Sequence, residues 1–385
     1  MSLAIRRVTA GPRSHFFGYY EKSPWDISGR YLLALEANFS GQRPAPDDTA
    51  VVGMVDLQDS DRWIPLAKTR AWNWQQGAML QWRPESPDEI LYNDRRDGQF
   101  VGIIRNVFTG SEQVVSRPFY GVSPNGRDAV SLNFSRLAQT HPACGYAGIP
   151  DPWADTGVPA DDGAYHTDLD SGQTRLILSL ADAVRAGERW GESPVPGTHW
   201  FNHAQFNTDG SRFGLLHRWS DGTFRWKTRL LTLAPDGSDP FVLLDEEMVS
   251  HYDWRDRDTI LAWARRPVTG DHYYTLTDRD RIDNGTVLGD GVLTVDGHCS
   301  YSPDRRWILT DTYPDKDGYR TLILFDPKSE QRIDIGRFHG PSPRDVELRC
   351  DLHPRWSRDG RLVCIDSLHE NGDRQVYVLD VSAVT

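Results

Sequence analysis

Residues 203–218 read HAQFNTDGSRFGLLHR, and the pattern returns as HYDWRDRDTILAWAR from His251, HCSYSPDRRWILTDTY from His298 and HPRWSRDGRLVCIDS from His353. Each stretch opens on a histidine and reaches an aromatic residue three positions later. It then passes through a polar turn and continues into an apolar run. Asp, Asn and Gly in the turn supply the conformations of a tight hairpin, and the flanking runs alternate as half-buried strands do.

Working outward, the same unit recurs as YYEKSPWDISGRYLLAL from Tyr19, MLQWRPESPDEILYN from Met79 and FYGVSPNGRDAVSLN from Phe119, which makes seven. Most units lie about 40 to 60 residues apart, the period of propeller blades. Most are followed by further strand candidates such as FVGIIRNVFTG, TRLLTLAPDG and RTLILFDPKS. The pattern predicts an all-β chain: one domain over 1–385, a seven-bladed β-propeller of four-stranded antiparallel blades. The last strand candidate, QVYVLDVS, lacks an outer neighbour, and the early segment AIRRVTA is expected to supply it and close the ring. One interval is anomalous. Between Phe119 and His203 lie a Gly/Pro-rich stretch, a strand candidate and the helical-looking LSLADAVRAGER. We expect a loop-and-helix insertion at about 134–200, serving as a binding element because it carries Arg136, His141 and Tyr146 together.

Composition narrows the function. Lys plus Arg number 43 against 55 Asp plus Glu, a net charge of −12, with no basic stripe. Nucleic acid is excluded as a partner on that ground, whereas an anionic substrate remains open through a local Arg/His pocket. No run reaches the apolar length of a membrane span. The N-terminal residues lack a signal-peptide apolar region, and the four cysteines form no disulfide framework, so reduced thiols in a cytoplasm are expected. P-loop, G-x-S-x-G, H-E-x-x-H, kinase and EF-hand patterns are absent.

Equivalent positions on the inner strands of a propeller ring one axis. His203, His251, His298 and His353 are therefore expected to gather into one cluster, a metal site or a catalytic group. His217 is expected to face His203 across its hairpin. Cys350 lies just before a strand and is free to fold inward, Cys299 points away from His298 on a regular strand, and Cys364 belongs to the core. Arg136, Arg218 and Arg349 are candidate fork-shaped partners for a carboxylate.

Taken together, HFFGYYEKSPWD, LNFSRL followed by CGYAGIPD, HWFNHAQF, SHYDWRD, DGHCSYSPD and RCDLHPRWSRDG resemble the propeller-fold polysaccharide lyases, the oligogalacturonate-lyase-like and ulvan-lyase-like families, over nearly the whole chain. The resemblance implies β-elimination on a uronic acid: its carboxylate is neutralised, a base removes the C5 proton, and an acid protonates the leaving oxygen. In the first branch a metal held by histidines near the axis does the neutralising. In the second, arginine neutralises, His and Tyr exchange protons, and a His/Cys-bound Zn is structural. Carried to this chain, the resemblance implies Tyr146 and His203 for proton transfer and Arg136 and Arg218 for the carboxylate. It implies His298, Cys350 and His353, with His217, as ligands of a divalent metal, Zn or Mn. Gln81 in MLQW departs from the pattern, since the ulvan-type histidine is expected there. The implied partner is an anionic oligosaccharide. Two alternatives stay open: another carbohydrate-active enzyme, hydrolase or epimerase, and a non-catalytic propeller that binds a sugar or a protein.

Overall fold

Each hairpin repeat becomes the inner part of a four-stranded antiparallel sheet, and seven such sheets follow one another along the chain as the blades of a propeller. The computed structural model describes residues 3–188, 196–222, 225–280, 285–341, 343 and 345–385. Blades 1 to 7 begin with the inner strands Ser14–Phe16, Gln81–Trp82, Gly121–Val122, Thr198–Phe206, Val249–Trp254, Ser300–Tyr301 and Arg355–Trp356. The ring closes as expected. Ile5–Arg7 is the fourth strand of blade 7 and pairs antiparallel with Gln375–Asp380, Ile5 opposite Leu379 and Arg7 opposite Tyr377.

The aromatic residue of each repeat explains why the blades pack. Trp82 and Trp254 are buried, and each indole Nε1 donates to a carbonyl of the preceding blade, Pro24 at 2.9 Å and Gln205 at 3.1 Å. The ring is a wedge between sheets, and burying such a side chain contributes about 1.5–3 kcal/mol. The turn residues close the hairpins as the sequence suggests: Ser302 donates to Asp304 and Ser357 to Asp359, both at 2.6 Å. At the seam between blades 7 and 1, the buried Arg355 meets Asp366 at 2.8 Å. Asp366 also accepts from the backbone N–H groups of Phe17 and Gly18 at 3.2 Å.

The inner strands are not regular where the histidines stand. Pairing in blade 4 shifts register between Asn202 and Ala204, and His203 between them has φ +52°. His353 has φ +42°. A bulged residue is freed from the alternation of the sheet and can be re-aimed, which here turns side chains toward the axis.

The stretch 134–200 is not one insertion. The strands Gly163–Asp168 and Thr174–Ser179 are the outer half of blade 3 and divide it in two. The first part holds helix α1 (Phe134–Thr140), capped by the Asn133 side chain accepting from Arg136 N at 3.0 Å, as N-cap Asn does. The second holds helix α2 (Leu180–Glu188); the last residues of the helical-looking stretch, from 189, lie outside the described residues. Among the described residues no helix is long and apolar enough to cross a membrane.

Candidate functional site

Three of the four repeat histidines stand side by side. Ring centroids are 4.4 Å apart for His251 and His298 and 4.3 Å for His298 and His353. They line a cavity of about 450 Å³ together with Tyr19, His141, Asn202, Arg218, Trp226, Tyr313, Arg349 and Asp351. His203 is close but does not line it. Tyr19 stands against both His203 (5.3 Å) and His353 (5.4 Å). The Nε2 atom of His203 lies 3.2 Å from Glu21 Oε2 and 3.4 Å from the Tyr20 hydroxyl.

His298, Asp351 and His353 form a donor set: one ligand atom from each lies within 4.8 Å of the other two, and all three residues are buried. His298 Nδ1 is 2.8 Å from Asp311 Oδ1, so a proton shared there leaves Nε2 as the lone pair for an ion. Two imidazoles and a carboxylate suit a first-row divalent cation such as Mn or Zn, and the residues therefore fit the metal that the resemblance implies. Of the four expected ligands, His298 and His353 belong to this set, and His217 and Cys350 do not. His217 lies in the second strand of blade 4 opposite Phe201, not His203, with Nε2 2.9 Å from His199 Nδ1. Cys350 is buried with Sγ against the carbonyl of Asp351, its thiol is pushed up to about 11 by burial, and it is not among the residues whose ligand atoms converge. Asp351 takes the third position instead.

Electrostatics divide the histidines. Burial pulls His298 down, but Asp311, Asp351 and Asp296 outweigh it and its pKa is raised. Burial lowers His353 well below the ordinary value, with His298 and Arg355 adding to the effect. Burial also lowers His251, against the opposing charge of Asp296, whose Oδ1 is 3.0 Å from His251 Nδ1. The cavity thus presents a neutral imidazole, His251, backed by a carboxylate, beside a donor set that attracts positive charge.

The residues expected from the 134–200 stretch separate. Arg136 is 2% exposed and spends its guanidinium inside the protein, on Asp151 Oδ2 (3.0 Å) and the carbonyls of His199 (2.6 Å), Thr156 (2.9 Å) and Gly157 (2.8 Å). Tyr146 stacks on Phe134 at 4.2 Å, and its hydroxyl accepts from Asn93 at 3.0 Å. Neither lines the cavity. That stretch reaches it through His141 and Cys144. Arg218 does line it, its Nη1 3.1 Å from His141 Nδ1 and its guanidinium 5.6 Å from the Trp226 ring. Arg349 lines the opposite wall, donating to Asp351 at 2.6 and 2.8 Å. Gln81 is buried and donates to the Met79 carbonyl at 3.4 Å.

The sequence reading overlooked the acids. Asp296 precedes His298 by two residues and Asp351 precedes His353 by two, a shared D-x-H spacing just ahead of the inner strands Ser300–Tyr301 and Arg355–Trp356. Each acid then serves the neighbouring blade: Asp296 meets His251, and Asp351 joins His298.

No protein-family model matches this chain, and no curated protein matches it in sequence. Solved structures match its fold. An oligogalacturonate lyase from Vibrio parahaemolyticus superposes with TM-score 0.68 at 13% identity, over 100% of this chain and 99% of that one. An oligogalacturonate lyase in complex with manganese gives TM-score 0.69 at 14% identity, over 99% and 95%. A puromycin-hydrolysing peptidase from Mycobacterium tuberculosis gives TM-score 0.56 at 12% identity, over 95% of this chain and 55% of that one, so the propeller accompanies more than one chemistry. Over essentially its whole length, the chain has the propeller fold of oligogalacturonate lyases.

Proposed function

We propose that this protein is a lyase that cleaves uronic-acid-containing oligosaccharides by β-elimination and releases unsaturated uronates. The observation that carries this reading is the single cavity shared by the His298–Asp351–His353 donor set, Arg218, Arg349 and the His251–Asp296 pair. β-Elimination needs these parts together: positive charge on the carboxylate, so that the C5 proton becomes acidic, and a neutral base to take it. A divalent cation held by His298, Asp351 and His353 would neutralise the uronate carboxylate. Arg218 and Arg349 supply fixed positive charge on the walls and orient the sugar acid.

His251 takes the C5 proton at Nε2, while Asp296 steadies the imidazolium that forms. The C4–O bond breaks as the C4–C5 double bond forms, and a proton passes to the leaving oxygen. The hydroxyl of Tyr313, which lines the same cavity with its ring 6.3 Å from that of His251, is the donor. The likeness in fold to two oligogalacturonate lyases, one of them in complex with manganese, supports the same reading.

The test is ultraviolet absorbance of the protein incubated with oligogalacturonates and other uronate oligosaccharides, with and without chelator. Absorbance that grows, stops with chelator and returns with Mn²⁺ or Zn²⁺ is expected. New reducing ends without absorbance favour a hydrolase, and a flat trace across the panel overturns the proposal.

A further inference from the structure

The inner strands run from a histidine end to an aromatic end. A second cavity, of about 370 Å³, opens at the aromatic end among Tyr301, Trp356 and the turn residues Arg305 and Arg358. Tyr19 lines the first cavity and Tyr20 the second. The two rings touch, with centroids 4.8 Å apart, and form a plug between the cavities.

Four residues that line the second cavity each carry a buried polar atom that the protein leaves unsatisfied. Ser23 Oγ, Gln205 Oε1, Ser300 Oγ and Trp356 Nε1 are all buried atoms with no hydrogen-bond partner, and all four residues line this cavity. Trp356 is itself only 8% exposed. A buried polar atom without a partner costs about 1–3 kcal/mol, so four around one cavity mark a place that something polar fills. Three are hydroxyl or N–H groups able to donate, and one is an amide oxygen able only to accept.

The charge is set as well. The exposed Arg305 and Arg358 stand at the rim, each tethered through one nitrogen to a backbone carbonyl, Trp254 at 3.4 Å and Trp25 at 2.9 Å. Inside, Lys22 and Glu21 pair at 2.7 Å, and Arg355 is paired with Asp366. The oxygens of Asp253 already accept from Gln205 Nε2 (2.6 Å) and Tyr301 N (2.7 Å). Those two donors are neutral, so Asp253 keeps its charge toward Arg305, and the two rim arginines together leave a net positive charge for a ligand. From these observations we infer that the aromatic end of the propeller axis is a second binding site, for a small hydroxylated anion such as a sugar acid or a sugar phosphate. Its oxyanion lies between Arg305 and Arg358, and its hydroxyls meet Ser23, Gln205, Ser300 and Trp356. The volume admits a monosaccharide and no polymer. The site does not depend on the lyase reading.

Calorimetric titration of the full chain with galacturonate, glucose 6-phosphate and inorganic phosphate tests this. At least one of the two sugars is expected to bind, and which one identifies the anion as carboxylate or phosphate. R305Q changes an exposed side chain and S300A removes an unpartnered hydroxyl, so both variants keep the fold, as an unchanged Tm would verify. Each is expected to weaken that binding at least tenfold, as is R358Q, whereas H353A, which alters the other cavity, leaves it unchanged. Three flat titrations overturn the inference. So does sugar binding that survives R305Q, R358Q and S300A, or that disappears with H353A.

Discussion

Asp311, at the end of the strand Ile308–Asp311 in blade 6, secures both histidines of the donor set at once. Its Oδ1 accepts from the backbone N of His298 at 2.8 Å and lies 2.8 Å from His298 Nδ1, and its Oδ2 accepts from the backbone N of His353 at 3.2 Å. Asparagine keeps the shape but has one acceptor and one donor. With its oxygen on His298, its NH₂ meets the N–H of His353. With the amide reversed, both His298 groups lose their acceptor. Either way at least one buried N–H is stranded, at about 1–3 kcal/mol, and the charge that fixes the His298 tautomer is gone. Loss of such a supporting contact lowers metal affinity about 10–100-fold, equivalent to about 1.4–2.7 kcal/mol. D311N is therefore expected to bind Mn²⁺ that much more weakly in a calorimetric titration, and H298A is expected to abolish binding. Wild-type affinity in D311N alongside loss in H298A would refute the argument that Asp311 orients the donor set.

At the seam between blades 7 and 1, D366A strands the buried Arg355 and is expected to cost about 3–5 kcal/mol in urea denaturation, only part of it recovered in an R355M/D366L double variant, which still leaves the N–H groups of Phe17 and Gly18 without their acceptor. Y146F removes a hydroxyl that faces Asn93 and not the cavity. It is expected to cost about 1 kcal/mol of stability and leave turnover unchanged, so a large fall in kcat would return Tyr146 to the chemistry. Burial lowers His203, His251 and His353, so the stability they contribute is present above the unfolded histidine value of about 6.5 and lost as pH falls below it. His298 is raised and works in the opposite sense, contributing below about 6.5 and losing that contribution as pH rises through its folded value. Burial lowers His15, His141, His217 and His369 in the same way, so with seven groups against one the urea midpoint of the metal-free protein is expected to fall between pH 7 and pH 5; a constant midpoint would contradict this balance.

The hairpins were legible because their turn chemistry and the aromatic residue three positions after the histidine are local signals, and the wedge role of Trp82 and Trp254 follows from them. Ring closure was legible because QVYVLDVS needed a partner strand. The repeat register correctly gathered the histidines near the axis. It did not tell which of them share a cavity, because that depends on Tyr19 and Tyr20, which come from another blade and stand against His203. His217 suggests itself by its expected place opposite His203 across the hairpin, and Cys350 by its nearness in sequence to His353. His217, however, stands on a second strand against His199, and Cys350 is not among the residues whose ligand atoms converge. The acids at D-x-H spacing were readable in principle and were passed over because Asp is common in the turns of this chain. In the 134–200 stretch the strand Gly163–Asp168 was legible in AYHTDLDSG, whereas Thr174–Ser179 was hidden because it runs directly into a helix.

The pairing of Ile5–Arg7 with Gln375–Asp380 also has a consequence for how the chain is made. On a ribosome Ile5–Arg7 emerges several hundred residues before its partner Gln375–Asp380. At ordinary elongation speed that wait is on the order of tens of seconds. Throughout it, blade 1 lacks the neighbour to which Asp366 fastens it, and the exposed edge must be kept from other chains. The nascent propeller is an open arc until Gln375–Asp380 has emerged, and the axial cavities acquire their final shape only when that strand meets Ile5–Arg7.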